Sequence, residues 1–286
     1  MTSAPESDWV RRRRTLTLAV GTALVIGVSA IAIANGKPYV SICPLSNPGS
    51  NCPGRLIVDF GGGVVPKKLP KHEVAPVALK LWGKVSTDNG THPSALRELT
   101  IDFDRGAVVN AKGLPVCHPF MLRRDIRDLR EKCMSAIIGG GRANFEYGFP
   151  DQAPIPVPGN LIVYNGGVKD GITTLYAVSF TNMPGLGAIM TSIKMTRINE
   201  GRYGLRAVAK IPSLAGGFGS LLGFSLKVKR LFNYKGTQES YATARCPDNR
   251  LRAEISTIFK NEAATPRVPS STVIKGALVL PCAPRG

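Results

Sequence analysis

The residues best suited to chemistry in this chain are six cysteines, and all of them follow an apolar stretch near the N-terminus. Six cysteines allow fifteen disulfide connectivities. Here they form three pairs that are local in sequence, which favours bonds from 43 to 52, from 117 to 133 and from 246 to 282. An even number is typical of a disulfide framework made in an oxidising compartment. The residues are Cys43, Cys52, Cys117, Cys133, Cys246 and Cys282.

Zinc binding is the alternative use of these cysteines. The chain has no C-x2-C or H-x3-H spacing, and its histidines, His72, His92 and His118, each stand alone beside Lys or Pro in predicted loops. Structural zinc sites are usually built from closely spaced ligand pairs. We therefore predict disulfides rather than a metal site, and no cofactor.

The catalytic motifs that we searched for are incomplete. A nucleophile elbow needs G-x-S-x-G, and in Gly219-Ser220-Leu221-Leu222-Gly223 the serine comes one place early. Glu98, Asp102 and Asp104 could supply the paired carboxylates of a glycosidase, but acids on a large surface fall this close by chance. Asp102-x-Asp104 lacks the remaining ligands of a calcium loop, so we expect a strand end there.

Three glycine clusters could suggest phosphate binding, but none is followed by the G-K-[ST] of a P-loop. We expect bends or bulges of a twisted sheet instead, and the first cluster should end a strand that begins at Leu56. The clusters are Gly61 to Gly63, Gly139 to Gly141, and Gly216-Gly217-Phe218-Gly219.

The apolar stretch from residue 15 to 34 determines where these groups act. It carries no charge, follows four arginines at 11 to 14, and at about 1.5 Å per residue it is long enough to span a bilayer. Its length favours a retained transmembrane anchor, whereas the alanine spacing at its end favours a cleaved signal peptide. Both alternatives place the rest of the chain outside the cytoplasm. The predicted organisation is a basic n-region at 1–14, the apolar segment, a linker at 35–55 and a domain at 56–286.

The domain is predicted to be all-β, because hydrophobic residues recur with a period of two. Leu79, Leu81 and Val85 alternate with polar or bulky neighbours, and so do Leu99, Ile101 and Phe103. Residues 113–133 are the exception and predict one short helix tied by Cys117 and Cys133. Regular strands separated by Gly, Pro or Asn turns favour an antiparallel β-sandwich or barrel. Nine later strands are predicted, at 144–149, 160–164, 172–181, 188–198, 202–211, 222–234, 240–245, 251–259 and 273–280.

Charge indicates the partners that this domain could meet. Beyond residue 34 the chain has 33 Lys and Arg against 17 Asp and Glu, a balance of +16. Inside a cell this would suggest nucleic acid, but outside it the available polyanions are anionic lipids and cell-wall polymers. A solvated basic face is the simpler alternative. Some aromatic side chains on sheet faces could stack on sugars, although core packing is the commoner use of such residues. The candidates are Trp82, Tyr164, Tyr176, Tyr234 and Tyr241.

Several short motifs resemble a family of uncharacterised exported, β-rich cell-envelope proteins of actinobacteria. The motifs are Gly113-Leu114-Pro115-Val116-Cys117, Cys133, Gly201-Arg202-Tyr203-Gly204, Phe232-Asn233-Tyr234-Lys235-Gly236, Ser240-Tyr241, Ala244-Arg245-Cys246-Pro247 and the late Cys282. The resemblance covers about residues 65 to 286. It implies export, a β-rich domain and paired cysteines, and it carries no established activity, ligand or catalytic residue. The pair Cys43 and Cys52 is additional to the family pattern.

Together these features favour a non-catalytic cell-envelope protein, structural or binding, that is secreted or held in the membrane by its N-terminal helix. An exported hydrolase with an unrecognised site is the alternative function.

Overall fold

The computed structural model describes residues 39–40, 54–118, 120, 132–150, 152–260 and 270–285. Within these ranges the chain forms β-strands and two short 3-10 helices, Met134–Ala136 and Ala215–Gly217. The strands are β1 Tyr39–Val40, β2 Leu56–Val65, β3 Lys68–Pro70, β4 Ala75–Pro76, β5 Ala78–Thr87, β6 Ala95–Asp104, β7 Ala107–Val109, β8 Ile137–Tyr147, β9 Ile155–Lys169, β10 Ile172–Thr181, β11 Gly187–Glu200, β12 Tyr203–Lys210, β13 Gly219–Val228, β14 Leu231–Tyr234, β15 Thr237–Ser240, β16 Ala242–Ala244, β17 Arg250–Lys260, β18 Ser271–Pro281 and β19 Ala283–Arg285.

One antiparallel sheet of 12 strands makes up most of the fold, in the order β1-β2-β5-β13-β8-β9-β10-β11-β12-β6-β17-β18. The last strand, β18, lies beside β2 at the other end of this order, so the sheet curves round and nearly closes into a barrel. Of the two predicted architectures, the barrel is the one observed. Closure leaves few unpaired strand edges, which is how antiparallel barrels avoid edge-to-edge association.

Smaller sheets cover one end of the barrel. Strand β16 pairs with β7, which directly follows β6, and with β4, which directly precedes β5. The C-terminal β19 pairs in parallel with β3, and β14 and β15 form a hairpin. Because β4, β7 and β16 all continue from the same end of the main sheet, they cap the barrel there.

The alternating pattern of the sequence selects which side chains point into the barrel. In β5, Leu79 and Leu81 line the interior while Lys80 and Lys84 are exposed, as predicted. In β6 the interior residues include Leu99 and Ile101. Successive side chains of a strand point to opposite faces, so a period of two produces an apolar interior and a polar outer wall.

The prediction that glycines end the first strand is wrong. Strand β2 runs through Gly61 and Gly63 to Val65. Gly61 lies opposite Trp82, and a Cβ built on Gly61 would come 2.3 Å from the indole ring. The glycine therefore lets the ring lie against the strand instead of stopping it. The third glycine cluster likewise lies partly in a strand, since Gly219 begins β13.

Other predicted boundaries shift at turns. The single strand predicted at 222–234 is two strands, β13 and β14, separated at residues 229–230, and the strand predicted at 240–245 is likewise divided between β15 and β16. Of the helix predicted at 113–133, residues 114–118 are not helical, and most of the remainder lies outside the described residues.

The predicted membrane segment at 15–34 also lies outside the described residues, as do 1–14 and most of the linker. Within the part of the chain that the structure describes, no helix is long and apolar enough to span a bilayer. Two linker residues, Tyr39 and Val40, pair with β2 as strand β1.

Candidate functional site

The interior of the barrel contains an apolar cavity of about 160 Å³. Its wall is made by inward side chains of eight neighbouring strands of the main sheet, together with residues of the cap. In sheet order these strands are β5, β13, β8, β9, β10, β11, β12 and β6. Nearly all of them are aliphatic or aromatic, including Leu81, Phe145, Ile193 and Phe224. An engineered cavity of about 150 Å³ with a similar lining binds benzene or xenon, so this volume is large enough for a small apolar molecule.

Several inward side chains are less buried than their position in the fold would suggest. Leu81, Ile193, Phe224 and Leu226 point into the barrel, yet each is only partly buried and packs at the border of the main hydrophobic core. Protein cores are normally filled by interdigitating side chains. The side chains of this barrel therefore do not fill its interior.

Two hydroxyl groups on the cavity wall have no hydrogen-bond partner among the described residues. Tyr241 is 1% exposed and Ser179 is 2% exposed, and among the described residues neither hydroxyl oxygen has a partner. Both residues line the cavity. Burial raises the pKa of Tyr241, so its hydroxyl remains a donor. A buried polar group without a partner costs roughly 1–3 kcal/mol, and a bound molecule with one polar atom would remove that cost.

The cavity runs from the capped end toward the opposite end of the barrel. At the capped end its wall includes Tyr241 and Ala242, next to β16. At the opposite end, Leu214 of the loop before β13 packs with Phe145 and Val157. The loops at this second end carry exposed apolar side chains, of which Leu186 is the most exposed.

A serine, a histidine and a glutamate meet on the outer surface of the barrel. His92 Nδ1 lies 2.7 Å from Glu146 Oε1, and His92 Nε2 lies 3.0 Å from Ser220 Oγ. This is the order of contacts in a Ser-His-acid triad. However, Ser220 is 2% exposed and its hydroxyl donates to the Pro93 carbonyl at 2.5 Å. The trio thus fastens the loop at 88–94 onto β8 and β13.

The sequence singled out Ser220 and His92 separately, but neither Glu146 nor the association of the three residues was predicted. Ser220 appeared only in an incomplete motif, and His92 as a single loop histidine. Ser220 and Glu146 lie directly opposite each other in the pairing of β13 with β8. Residues 74 positions apart in sequence meet because of strand register, which no local motif reports.

The acidic residues of β6 are held by arginines of β12 and its preceding turn. Arg206 donates to both carboxylate oxygens of Asp102 at 2.7 Å and to Glu200 at 2.8 Å. Arg202 donates to Asp104 at 2.6 Å and makes two hydrogen bonds to Asp248. These bonds raise the pKa of both guanidinium groups. Two of the carboxylates considered for a glycosidase, Asp102 and Asp104, are therefore held in ion pairs, and they end β6 as predicted. The third, Glu98, accepts a hydrogen bond from the Thr100 hydroxyl at 3.4 Å.

Two of the predicted disulfides are observed. Cys117 is bonded to Cys133, and Cys246 to Cys282. Both bonds are buried, and Cys246 belongs to the main hydrophobic core. Cys43 and Cys52 lie outside the described residues.

The aromatic residues considered for sugar stacking divide into two groups. Tyr164 and Tyr241 are buried, whereas Trp82 is 47% exposed on the outer wall. Burial raises the pKa of the Tyr176 hydroxyl, as it does for Tyr241. Tyr176 and Tyr234 are half-buried, so Trp82 is the most exposed of the five.

Within the described residues, no three His, Cys, Asp or Glu side chains come together as metal ligands. Comparison of the chain with protein-family models, with curated proteins and with solved structures gave no match.

Proposed function

We propose that this protein is a non-catalytic binding protein of the cell envelope that holds a small, uncharged and mostly apolar ligand inside its barrel. The observation that carries this proposal is the cavity of about 160 Å³ with its almost entirely apolar wall. Barrels of at least about eight strands can hold a small ligand in this way. A charged ligand is disfavoured because the lining residues include no charged side chain to pair with it.

Action outside the cytoplasm forms part of the proposal. Two buried disulfides favour an oxidising compartment, because thiols of cytosolic proteins are normally kept reduced. The apolar stretch at 15–34 supports the same location, as either a cleaved signal or an anchor.

The test is binding of benzene to the purified protein, followed by calorimetry, together with a variant that fills the cavity. Ala209 lines the cavity, so Ala209→Leu should weaken benzene binding at least about tenfold, which corresponds to about 1.4 kcal/mol. Because the new side chain enters empty space, the unfolding temperature should not fall.

Ala188→Leu is the matched control, because Ala188 is exposed on β11 next to the cavity residue Ile189. The same substitution on the outer wall should leave benzene binding unchanged. Failure of the wild-type protein to bind benzene would contradict the proposal, as would a loss of stability in Ala209→Leu typical of an overpacked core.

A second candidate function is an exported ester hydrolase, which the contacts among Ser220, His92 and Glu146 favour. Ser220 Oγ would attack the ester carbonyl carbon while its proton passes to His92 Nε2. The alcohol would leave with that proton, and water would then hydrolyse the acyl-serine. Access to the buried serine requires the loop at 88–94 to lift.

A fluorophosphonate probe separates the two functions. Covalent labelling of Ser220, abolished in both Ser220→Ala and His92→Ala, would support the hydrolase. If the protein binds benzene and Ser220 is not labelled, the hydrolase is excluded and the binding function is supported.

A further inference from the structure

The outer face of β5, β13 and β8 carries a concentration of exposed cations. Lys80 and Lys84 lie on β5, Lys227 on β13 and Arg142 on β8, and all four side chains are exposed. No described residue forms an ion pair or a side-chain hydrogen bond with any of them. We refer to these four residues, together with Trp82 and Ser225, as the basic face.

Two of the lysines are placed directly against each other. Lys80 and Lys227 are cross-strand partners in the antiparallel pairing of β5 with β13. Directly opposed side chains of such strands have Cβ atoms about 4.5–5.5 Å apart, and like charges at this spacing are destabilising. An anion bound between them would remove the repulsion. The opposed pair therefore favours binding of an anion at this position.

Two acidic residues lie beside the basic face. Asp59 is opposite Lys84 in the strand pairing, and Glu146 Oε1 lies 2.7 Å from His92 Nδ1. The groove next to Lys84 and Arg142 has a volume of about 540 Å³, and its wall combines glycines and apolar side chains with polar residues that include Asn144 and Ser225. The face therefore offers cations and hydrogen-bonding groups to one ligand.

Glycines make the floor of this surface flat. Gly61 lies opposite Trp82, Gly63 opposite Lys80, and Gly140 opposite Lys227. The backbone is open at Gly63, where a Cβ would meet nothing within 4 Å, whereas at Gly61 the indole of Trp82 covers it. A long, flat molecule can then lie close to the sheet between the cationic side chains.

Trp82 lies in the middle of this floor. One side of its indole ring packs against Gly61, where a Cβ would be 2.3 Å from the ring, and the side chain is 47% exposed. Across the strands, Trp82 is followed by Ser225 and then Arg142. A rigid aromatic surface with one free side, next to hydrogen-bonding and cationic groups, suits a sugar ring that bears an acidic substituent.

We propose that the basic face binds an acidic polysaccharide, with Trp82 stacking on a sugar ring and Lys80, Lys227 and Arg142 pairing with its acidic groups. This site is separate from the barrel cavity and does not depend on the proposed apolar ligand. On β5, Lys80 and Lys84 are four residues apart, about 13 Å, with Trp82 between them, so a sugar ring on the indole would lie between two cations.

The experiment measures binding of the purified protein to polygalacturonate, a carboxylated polysaccharide, with neutral dextran and poly-glutamate as reference polymers. The wild type should bind polygalacturonate more tightly than poly-glutamate and should not bind dextran. Binding should weaken steeply as salt is raised, because the exposed charges are screened.

Two variants of equal net charge test the location of the site. The double variant Lys80→Ala/Lys227→Ala should lose at least about tenfold in affinity. Lys194→Ala/Lys275→Ala removes two exposed lysines from β11 and β18, and it should lose less than about twofold. Equal losses in the two double variants would show a diffuse attraction to the whole basic surface and would overturn the proposal.

Trp82→Ala tests the polysaccharide as distinct from any polyanion. It should reduce binding of polygalacturonate about fivefold to tenfold and leave binding of poly-glutamate unchanged. If the wild type binds both polymers equally and Trp82→Ala changes neither affinity, the ligand class is wrong. Thermal unfolding of each variant confirms that the fold is retained.

Discussion

At the scale of single residues, Tyr241 connects stability with ligand chemistry. Its hydroxyl lies among apolar side chains of the cavity wall without a hydrogen-bond partner in the described chain. Leaving such a group unpaired has a cost in the ligand-free protein, and a ligand with one hydroxyl or carbonyl group would remove that cost. The residue therefore favours ligands that are apolar with a single polar atom.

Tyr241→Phe should consequently make the ligand-free protein more stable, by about 1 kcal/mol in denaturant unfolding, because only the unpaired oxygen is removed. The same variant should lose any preference for phenol over benzene while it still binds benzene. A loss of stability would mean that the hydroxyl is satisfied, for example by a buried water.

Asp248 provides a residue-scale prediction about pH. The hydrogen bonds from Arg202 lower the pKa of Asp248. A carboxylate with a lowered pKa in the folded state adds stability above its unfolded pKa of about 4, and this stability is lost as pH falls further.

Asp248→Asn should therefore be less stable than the wild type at pH 7 by about 0.5 kcal/mol, a small value because the side chain is 39% exposed. The difference should be smaller at about pH 2, because protonation of the wild-type carboxylate removes this stabilisation as pH falls below about 4. Chemical denaturation at the two pH values checks this. A difference of unchanged size at low pH would indicate loss of packing instead of loss of charge.

At the scale of elements, close strand approach depends on particular glycines. A Cβ on Gly141 of β8 would come 1.8 Å from the Ser225 carbonyl oxygen of the neighbouring β13, and backbone cannot move aside as a side chain can. By contrast, a Cβ on Gly63 of β2 would meet nothing within 4 Å.

Gly141→Ala should destabilise the protein by about 1–3 kcal/mol in denaturant unfolding, because the strands must separate locally. Gly63→Ala is the matched control and should change stability by less than about 0.5 kcal/mol. If both substitutions change the free energy of unfolding equally, the change comes from the general difference between glycine and alanine in a strand and not from the contact with β13.

Strand positions show how far local patterns are predictive. The strand expected at 172–181 has those bounds, and the inward residues of β5 and β6 follow the predicted alternation. The strand was predicted to end at Gly61 because, in the local sequence, a glycine that ends a strand looks the same as one that makes room for a neighbouring side chain. Only the position of Trp82 on the neighbouring strand shows that it is a packing site.

At the scale of the whole molecule, the disulfides tie the small elements to the barrel. Cys246 follows β16 of the cap and bonds to Cys282 between β18 and β19, across 36 residues of sequence. The bond from Cys117 to Cys133 spans only 16 residues. In the chain-entropy model, the longer loop stabilises the fold by about 4 kcal/mol and the shorter by about 3 kcal/mol.

Cys246→Ser/Cys282→Ser should thus lower the free energy of unfolding more than Cys117→Ser/Cys133→Ser. Denaturant unfolding of the two double variants under identical conditions measures the order. The reverse order would show that local strain or residual structure outweighs loop length.

Composition and local order by themselves determined the class of this protein. The period of two predicts an all-β antiparallel domain, the sequence-local cysteines predict the two observed pairings, and the charge predicts a basic surface. These properties belong to neighbouring residues, so no tertiary information is needed to infer them.

Only the tertiary structure decided where the sites lie. The cavity exists because strands distant in sequence close into a barrel wider than their side chains can fill. The pairing of Lys80 with Lys227, the contact of Trp82 with Gly61 and the meeting of Ser220 with His92 all follow from strand order and register. The physical reason is that the alternation fixes which face a side chain takes, while non-local pairing fixes its neighbours.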